Sequence, residues 1–330
     1  MKKITDYGKV FETLVQKTQD YIVGNNLSAM VLGISGGIDS TVVAAICHEV
    51  SERTNIPLIG RSLPTKFNKE GETTTADLVG KAFCNDYKVF NINELYHSYI
   101  MQITHKETGS TKYTVDNNGN IERVENTFQT PIANGNIQAR LRMIYLYNLA
   151  SIHGGLVMDT DNLTENNLGY FTIHGDVGDF NPIGGLWKTE VFELAEWLYR
   201  YHFTSEVEHC TDLENTSPEI KDSFDKAKAL LASSLLKPTA GLGITNNDLE
   251  EIGAESYDQV DAVLQDILAW KWREAMFAWK DREHPLEDYL KEHRVKDISQ
   301  EIIERVAKRH FASEFKREQL PIKITRGEIG

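Results

Sequence analysis

The sequence predicts a doubly wound α/β fold, in which a mostly parallel sheet carries helices on both faces. Short β-rich runs alternate along much of the chain with segments whose apolar residues recur at helical spacing. Such alternation is typical of right-handed βαβ units and a parallel sheet. A glycine-rich turn follows the first strand, at the end where ligands bind on such sheets. The 330 residues are enough for one large domain, and we predict a single domain over 1–330.

The elements follow one by one from these patterns. The stretch "MKKITDYGKVFETLVQKTQDYI" has the spacing of an amphipathic helix and lacks the apolar core of a signal peptide. The apolar residues Val31, Leu32 and Ile34 predict a buried strand, which begins the alternation. The later patterns predict, in chain order, a helix at 41–50, a strand at 56–64, a helix at 73–84, a strand at 87–92, helices at 94–104 and 135–153, a strand at 155–160 and a helix at 188–202.

Two segments fall outside this alternation. Residues 111–125 have β-rich arms around an Asn-Asn-Gly turn and predict a hairpin inserted at the surface. Residues 264–297 form an extra helical segment, charged and rich in aromatic residues, to which we assign no function. The helix at 135–153 is expected to direct four apolar residues to the core: Ile137, Leu141, Ile144 and Leu149.

The turn "SGGIDS" at 35–40 has the composition of an anion-binding loop. Its glycines let the backbone approach a ligand, and the following helix presents free N–H groups at its positive end. The lysine of the common phosphate-binding loop is missing between Gly33 and Thr41, and the carboxylate of Asp39 is present instead. Because a carboxylate repels phosphate unless a divalent cation lies between them, the pairing predicts Mg²⁺ at this turn.

Composition narrows the classes of function and location. The formal net charge of −14 argues against non-specific nucleic-acid binding, which needs surplus lysine and arginine. No apolar run is long enough to span a bilayer, and we expect a cytoplasmic protein with no membrane or nucleic-acid partner. The three cysteines are too few and too scattered for a disulfide framework or a metal site.

Several blocks along the chain resemble those of one family. In order, they are "SGGIDS", "GNIQARLRM", "TDNLTENNLGYFT", "GDVGDFNPIGGLWKT", "LKPTAGL" and "SYDQVDAVL". The chain resembles the ammonia-dependent NAD synthetases, which belong to the N-type ATP pyrophosphatase superfamily with its adenine nucleotide alpha hydrolase-like fold. The resemblance runs from about Val31 to Val263 and resumes at "EFKREQLP" near the carboxyl end. It also implies a homodimer that binds substrate across the interface.

The resemblance implies roles for matched positions. Asp39 and Glu165 would be the Mg²⁺ ligands and, with Lys188, the catalytic groups. Arg140, Asp179 and Lys316 would bind deamido-NAD. The residues implied to bind ATP are Gly33, Ile34, Ser35, Gly36, Gly37, Ile38, Asp39, Ser40, Thr160, Lys188 and Thr239.

The reaction implied is an amidation in two steps. The nicotinate carboxylate of deamido-NAD would attack the α-phosphorus of ATP, giving an acyl-adenylate and pyrophosphate, and ammonia would then displace AMP. Glutamine-using relatives carry an amidase domain ahead of the loop, and the short stretch before Gly33 leaves no room for one. Free ammonia, or ammonia delivered by a separate protein, is therefore the expected nitrogen donor.

Alternatives stay open at this stage. Another ATP pyrophosphatase acting on a different carboxylate, or a non-catalytic adenine-nucleotide-binding protein, would keep the same turn. Asp39 and Glu165 could be helix caps, and Arg140 a solvated residue on a helix face. The chain departs from the family pattern with Asp159 in place of glycine, Ile173 in place of lysine and Phe315 in place of a frequent histidine. These departures affect the contacts expected with deamido-NAD more than those expected with ATP.

Overall fold

A computed structural model of the protein describes most of the chain. The described residues are 3–68, 70–107, 111–115, 121–125, 131–204, 217–236, 248–277, 290, 298–317, 322–323 and 327. The ATP contact predicted at Thr239 lies outside them, as do residues 278–289 and 291–297 of the predicted extra segment.

Among the described residues, six strands form one sheet in which every neighbouring pair is parallel. These strands are β1 Met30–Gly33, β2 Leu58–Ser62, β3 Asp86–Val89, β6 Leu156–Met158, β7 Phe180–Asn181 and β8 Ile322–Lys323. Their order across the sheet is β3-β2-β1-β6-β7-β8. The chain therefore adds β2 and β3 on one side of β1, and it adds β6, β7 and β8 on the other side. Two further strands, β4 Thr111–Val115 and β5 Ile121–Glu125, form a separate antiparallel hairpin. The predicted fold class is confirmed.

Twelve α-helices are described along the chain. They are α1 Tyr7–Gly24, α2 Ile38–Thr54, α3 Glu70–Phe83, α4 Asn93–Glu107, α5 Pro131–His153, α6 Leu163–Leu168, α7 Lys188–Trp197, α8 Pro218–Leu235, α9 Asp248–Ile252, α10 Tyr257–Phe277, α11 Gln300–Ala312 and α12 Glu314–Arg317. A π-helical turn, Leu198–Phe203, continues α7. None of these helices is long and apolar enough to cross a membrane.

The two faces of the sheet are buried by different helices. Side chains of a strand point alternately to opposite faces, and β1 shows this directly. Met30 and Leu32 pack in a cluster with α1, α2, α3, α7 and α8, whereas Val31 packs in a second cluster with α4 and α5. A third cluster joins α6, α9, α10 and α11 beside the sheet. The continuous apolar runs of the central strands follow from burial on both faces.

The prediction that Ile144 of α5 faces the core is wrong. Ile144 is 65% exposed, although Leu141 is buried as expected. The buried stripe of α5 instead follows Ala139, Met143, Leu146 and Ala150, which recur at helical spacing and cover the sheet. Ile144 lies on the other side of this helix, so its apolar side chain faces outward.

Candidate nucleotide and metal site

The glycine turn lies at the carboxyl end of β1, at the centre of the sheet. Gly36 adopts φ of +86°, and a Cβ there would lie 2.5 Å from the Glu72 carbonyl oxygen and 2.7 Å from Ala76 N. Glycine is therefore required where the turn passes the backbone of α3. The Ser40 hydroxyl donates to the Gly37 carbonyl at 3.0 Å, which closes the turn as α2 begins. The turn thus places the amino end of α2 next to the carboxyl end of β1.

Three predicted site residues meet beside this turn. Lys188 Nζ, almost fully buried, donates to Asp39 Oδ2 and lies 2.9 Å from Glu165 Oε1. Burial acts to lower the pKa of Lys188, but the charges of Asp39 and then Glu165 outweigh it and raise that pKa well above its usual value. The lysine is consequently a fixed cation between two carboxylates. The Tyr257 ring lies 5.7 Å from the same ammonium group.

Asn162 connects the two carboxylates, a role that the sequence interpretation missed. Its side-chain amide donates to Asp39 Oδ1 at 2.9 Å, and its Oδ1 accepts from Glu165 N at 3.0 Å. The second contact is half of a capping box, since Glu165 Oε2 accepts from Asn162 N at 3.2 Å. The N-x-x-E spacing signals the cap in the sequence, whereas the contact with Asp39 exists only in the fold.

A cavity of about 310 Å³ collects most of the predicted ATP contacts. Arg142 and Asp176, which the sequence interpretation left without a role, also line it. Gly36 and Ser40 do not line the cavity, but they shape the glycine turn beside it. The predicted residues that line it are Gly33, Ile34, Ser35, Gly37, Ile38, Asp39, Thr160, Glu165 and Lys188.

Asp159, one of the departures from the family pattern, organises the loops that flank this cavity. It is buried, and its carboxylate accepts bonds from Asp161 N at 2.7 Å, Gly178 N at 2.8 Å and Asn181 Nδ2 at 3.1 Å. These bonds join the loop after β6 to the segment that leads into β7. Asp159 therefore holds loops together rather than lining the cavity, where its neighbour Thr160 lies.

Two further carboxyls at or near the cavity have raised pKa values. Burial raises the pKa of Asp176 to about 7, although Thr172 N donates to its Oδ1 at 2.6 Å. Burial also raises the pKa of Asp161 well above its usual value, with the charge of Asp159 adding to the effect. Asp161 Oδ2 has no hydrogen-bond partner within the described part of the chain. Asp176 can therefore gain or lose a proton near neutral pH inside the cavity.

Two predicted dinucleotide contacts lie in a second cavity of about 610 Å³. Arg140 donates to the Ile173 carbonyl at 3.3 Å, and Asp179 Oδ2 accepts from Val157 N at 2.9 Å. Ile173 and His174 line this cavity as well. Both cavities border α5, because Met143 lines each of them.

Lys316 lies behind the second cavity rather than in its wall. Its ammonium group donates to the carbonyls of Gly169 at 2.8 Å and Phe171 at 2.6 Å, and it lies over the Phe171 ring. Phe171 does line the second cavity. The assignment of Lys316 to deamido-NAD stays a prediction, and in this arrangement the lysine supports the cavity wall. Its neighbour Phe315 is 62% exposed.

Fold and site together define an α/β protein with the adenine nucleotide alpha hydrolase-like fold and a cavity at its glycine turn. Residues 10–200 match the family described as NAD synthase. An NH(3)-dependent NAD(+) synthetase from Methanococcoides burtonii is 32% identical over 252 residues, 76% of each chain. One from Campylobacter jejuni is 31% identical over 225 residues, 68% of this chain and 81% of the relative. The protein belongs to the NAD synthase family.

A solved structure supports the same fold. NMN synthetase from Francisella tularensis superposes with a TM-score of 0.62 and 23% sequence identity, over 95% of this chain and 97% of that one. At this identity the likeness shows the fold alone.

Proposed function

We propose that the protein amidates deamido-NAD to NAD with ATP and ammonia, releasing AMP and pyrophosphate. The observation that carries the proposal is the cluster of Asp39, Glu165 and Lys188 at the wall of a cavity that the glycine turn also lines. The relatives are named NH(3)-dependent NAD(+) synthetases, which supports NAD as the product and ammonia as the nitrogen donor.

We infer that Asp39 and Glu165 would hold Mg²⁺. Both carboxylates already share one cation, the ammonium group of Lys188, and hard carboxylate oxygens suit Mg²⁺. Phosphate oxygens and water would complete the coordination of such an ion. When bound, Mg²⁺ supplies charge neutralisation for the pyrophosphate that leaves ATP.

The chain's own groups would assist adenylation. A carboxylate is a poor acceptor for ammonia, so one of its oxygens first attacks the α-phosphorus and the bond to pyrophosphate breaks. Lys188 would stabilise the negative charge that develops on the leaving group, since this residue lines the cavity and is held as a cation. The turn at 35–37 would present backbone N–H groups to the phosphates at the amino end of α2. Positioning and fixed charge would carry most of the rate.

Asp176 would serve the second step. Ammonia is mainly ammonium at neutral pH, and it must lose a proton before it can attack the acyl-adenylate and displace AMP. A carboxylate with a pKa of about 7 in the same cavity is suited to accept that proton. We thus assign separate groups to the two steps: the Lys188 cluster to adenylation and Asp176 to amidation.

Product analysis tests the proposed function directly. Purified protein would be incubated with ATP, Mg²⁺, deamido-NAD and ammonium, and nucleotides would be separated by chromatography. We expect AMP, pyrophosphate and NAD in equal amounts, and no NAD when glutamine replaces ammonium. Parallel reactions with nicotinate mononucleotide test the accepted acid. Amidation of that acid in preference to deamido-NAD would contradict the proposed substrate, and absence of acid-dependent AMP would contradict catalysis altogether.

We also propose that the protein is a homodimer assembled through α5. Ile144 and Ile152 are 65% and 68% exposed on this helix. Ile144 and Tyr147 line the second cavity together with Arg140 and Asp179. A second copy packed on this face would cover apolar surface and close the cavity that we assign to deamido-NAD.

Ile144→Glu tests this assembly, because a buried charge without a partner opposes association. We expect sedimentation velocity to show a dimer for the natural protein and a monomer for the variant. The KM for deamido-NAD should rise while the KM for ATP changes little. Val23→Glu, at an exposed apolar residue of α1, is the matched control and should remain dimeric. A monomeric natural protein would refute the proposal.

A further inference from the structure

One block of the sequence has no role in the proposed reaction. The block "SYDQVDAVL" forms the start of α10, which packs in the third cluster beside the sheet. Within it, Asp261 is a buried carboxylate that lines neither cavity. A buried charge is costly unless it is fully hydrogen-bonded, so its contacts indicate why it is present.

The contacts of Asp261 reach the residues next to two site groups. Its Oδ1 accepts from Thr164 Oγ1 at 2.5 Å. Its Oδ2 accepts from Thr189 N at 3.1 Å and from Thr189 Oγ1 at 2.9 Å. Thr164 directly precedes Glu165, and Thr189 directly follows Lys188. One carboxylate therefore fixes the amino ends of both helices that carry these groups.

The Thr164 hydroxyl extends the connection to the lysine itself. It donates to Asp261 and accepts from Lys188 N at 2.8 Å, which uses both kinds of hydrogen bond that a hydroxyl can make. The amino end of α7 thus has two of its backbone N–H groups satisfied from outside the helix. Burial raises the pKa of Asp261 to about 6, so the carboxylate is mostly ionised at neutral pH and can accept all three bonds.

We propose that Asp261 is a positioning residue that sets the distance between Lys188 and Glu165 through Thr164 and Thr189. It lines neither cavity, and it acts on the site through the ends of α6 and α7. Packing of the third cluster, Val260 and Val263 included, holds α10 itself in place. The proposal rests on the proposed function, in which Lys188 and Glu165 act on the phosphates of ATP.

Four substitutions test this role. Asp261→Asn leaves the side-chain size nearly unchanged but removes one acceptor. Thr164→Val removes both bonds of the hydroxyl, and Thr164→Ser restores a hydroxyl. Asp258→Asn, an exposed acid on the same helix, is the matched control. Mn²⁺–ATP affinity is measured by calorimetry without deamido-NAD, AMP formation by steady-state kinetics, and folding by thermal melts.

We expect Asp261→Asn and Thr164→Val each to weaken Mn²⁺–ATP binding or to lower kcat by about 10- to 100-fold, as for other groups that orient metal ligands. The KM for deamido-NAD should change little, and Thr164→Ser and Asp258→Asn should remain close to the natural protein. Because Thr164 joins Asp261 to Lys188, the double variant should lose little more than either single variant.

Normal affinity and kcat in folded Asp261→Asn protein would overturn the proposal, as would a Thr164→Ser protein as defective as Thr164→Val. A lowered melting temperature with unchanged kinetics would show a structural role only and would also overturn it. Failure of the proposed function gives a different pattern. In that case the natural protein makes no NAD, while the effect of Asp261→Asn on Mn²⁺–ATP affinity still decides the positioning role.

Discussion

Asp39→Asn protein is expected to form AMP about 10²- to 10³-fold more slowly than the natural protein, the loss typical when one preorganised charge-stabilising group is removed. The substitution removes the charge that pairs with Lys188 while leaving an oxygen that can accept from the Asn162 amide. It also removes one of the two proposed oxygen ligands for Mg²⁺. The site would retain its shape but lose the charge pattern required for pyrophosphate release.

The measurement is pyrophosphate exchange into ATP in the presence of deamido-NAD, titrated with Mg²⁺. We expect the Mg²⁺ concentration at half-maximal exchange to rise together with the loss of rate. Glu52→Gln, at an exposed acid on the same helix, is the control and should exchange normally. A thermal melt separates loss of function from loss of fold. Exchange by folded Asp39→Asn protein at the natural rate would rule out the metal assignment.

Sequence patterns predicted most of the sheet but not its far edge. Strands of four or five residues, such as β1 and β2, have enough length for their pattern and burial to be visible. The strands β7 and β8 have two residues each, and no period can be read from two residues. The helix after the turn begins at Ile38, earlier than predicted, because the residues of "IDS" combine turn composition with helical geometry.

The site likewise combines residues that the sequence marks with contacts that only the fold creates. Asp39, Glu165 and Lys188 lie in blocks that the family resemblance marks, and the structure brings them into contact. Asn162 meets Asp39 across 123 positions of sequence, a contact that depends on the pairing of β1 with β6. A local sequence pattern cannot indicate such a contact. Burial likewise decides which carboxyl titrates near neutral pH, and burial belongs to the whole fold.

Asp176→Asn should separate the two steps of the reaction. An asparagine keeps the oxygen that accepts from Thr172 N, so the loop can keep its shape. It cannot take a proton from ammonium, and loss of a general base typically costs about 10²- to 10⁴-fold. We therefore expect pyrophosphate exchange to remain close to natural while formation of NAD falls by that factor. The intact exchange reaction is an internal control for folding and ATP binding.

The pH dependence gives a second, independent reading of Asp176. The base must be ionised to accept a proton, so the natural rate of NAD formation should rise through about pH 7, and the variant should lack this rise.

The stability of the fold changes with pH in the opposite sense. A pKa raised from 3.8 to about 7 means that the folded state binds the extra proton, and stability falls as pH rises through this window.

Asp176→Asn protein, whose side chain stays neutral, escapes that loss. Its free energy of unfolding should therefore exceed that of the natural protein at pH 8, while its NAD formation is far lower. Urea unfolding at pH 5 and pH 8 measures the first quantity, and NAD formation at both values measures the second. A variant that loses exchange and amidation equally would show that Asp176 acts before the acyl-adenylate forms, which contradicts its assignment to the ammonia step.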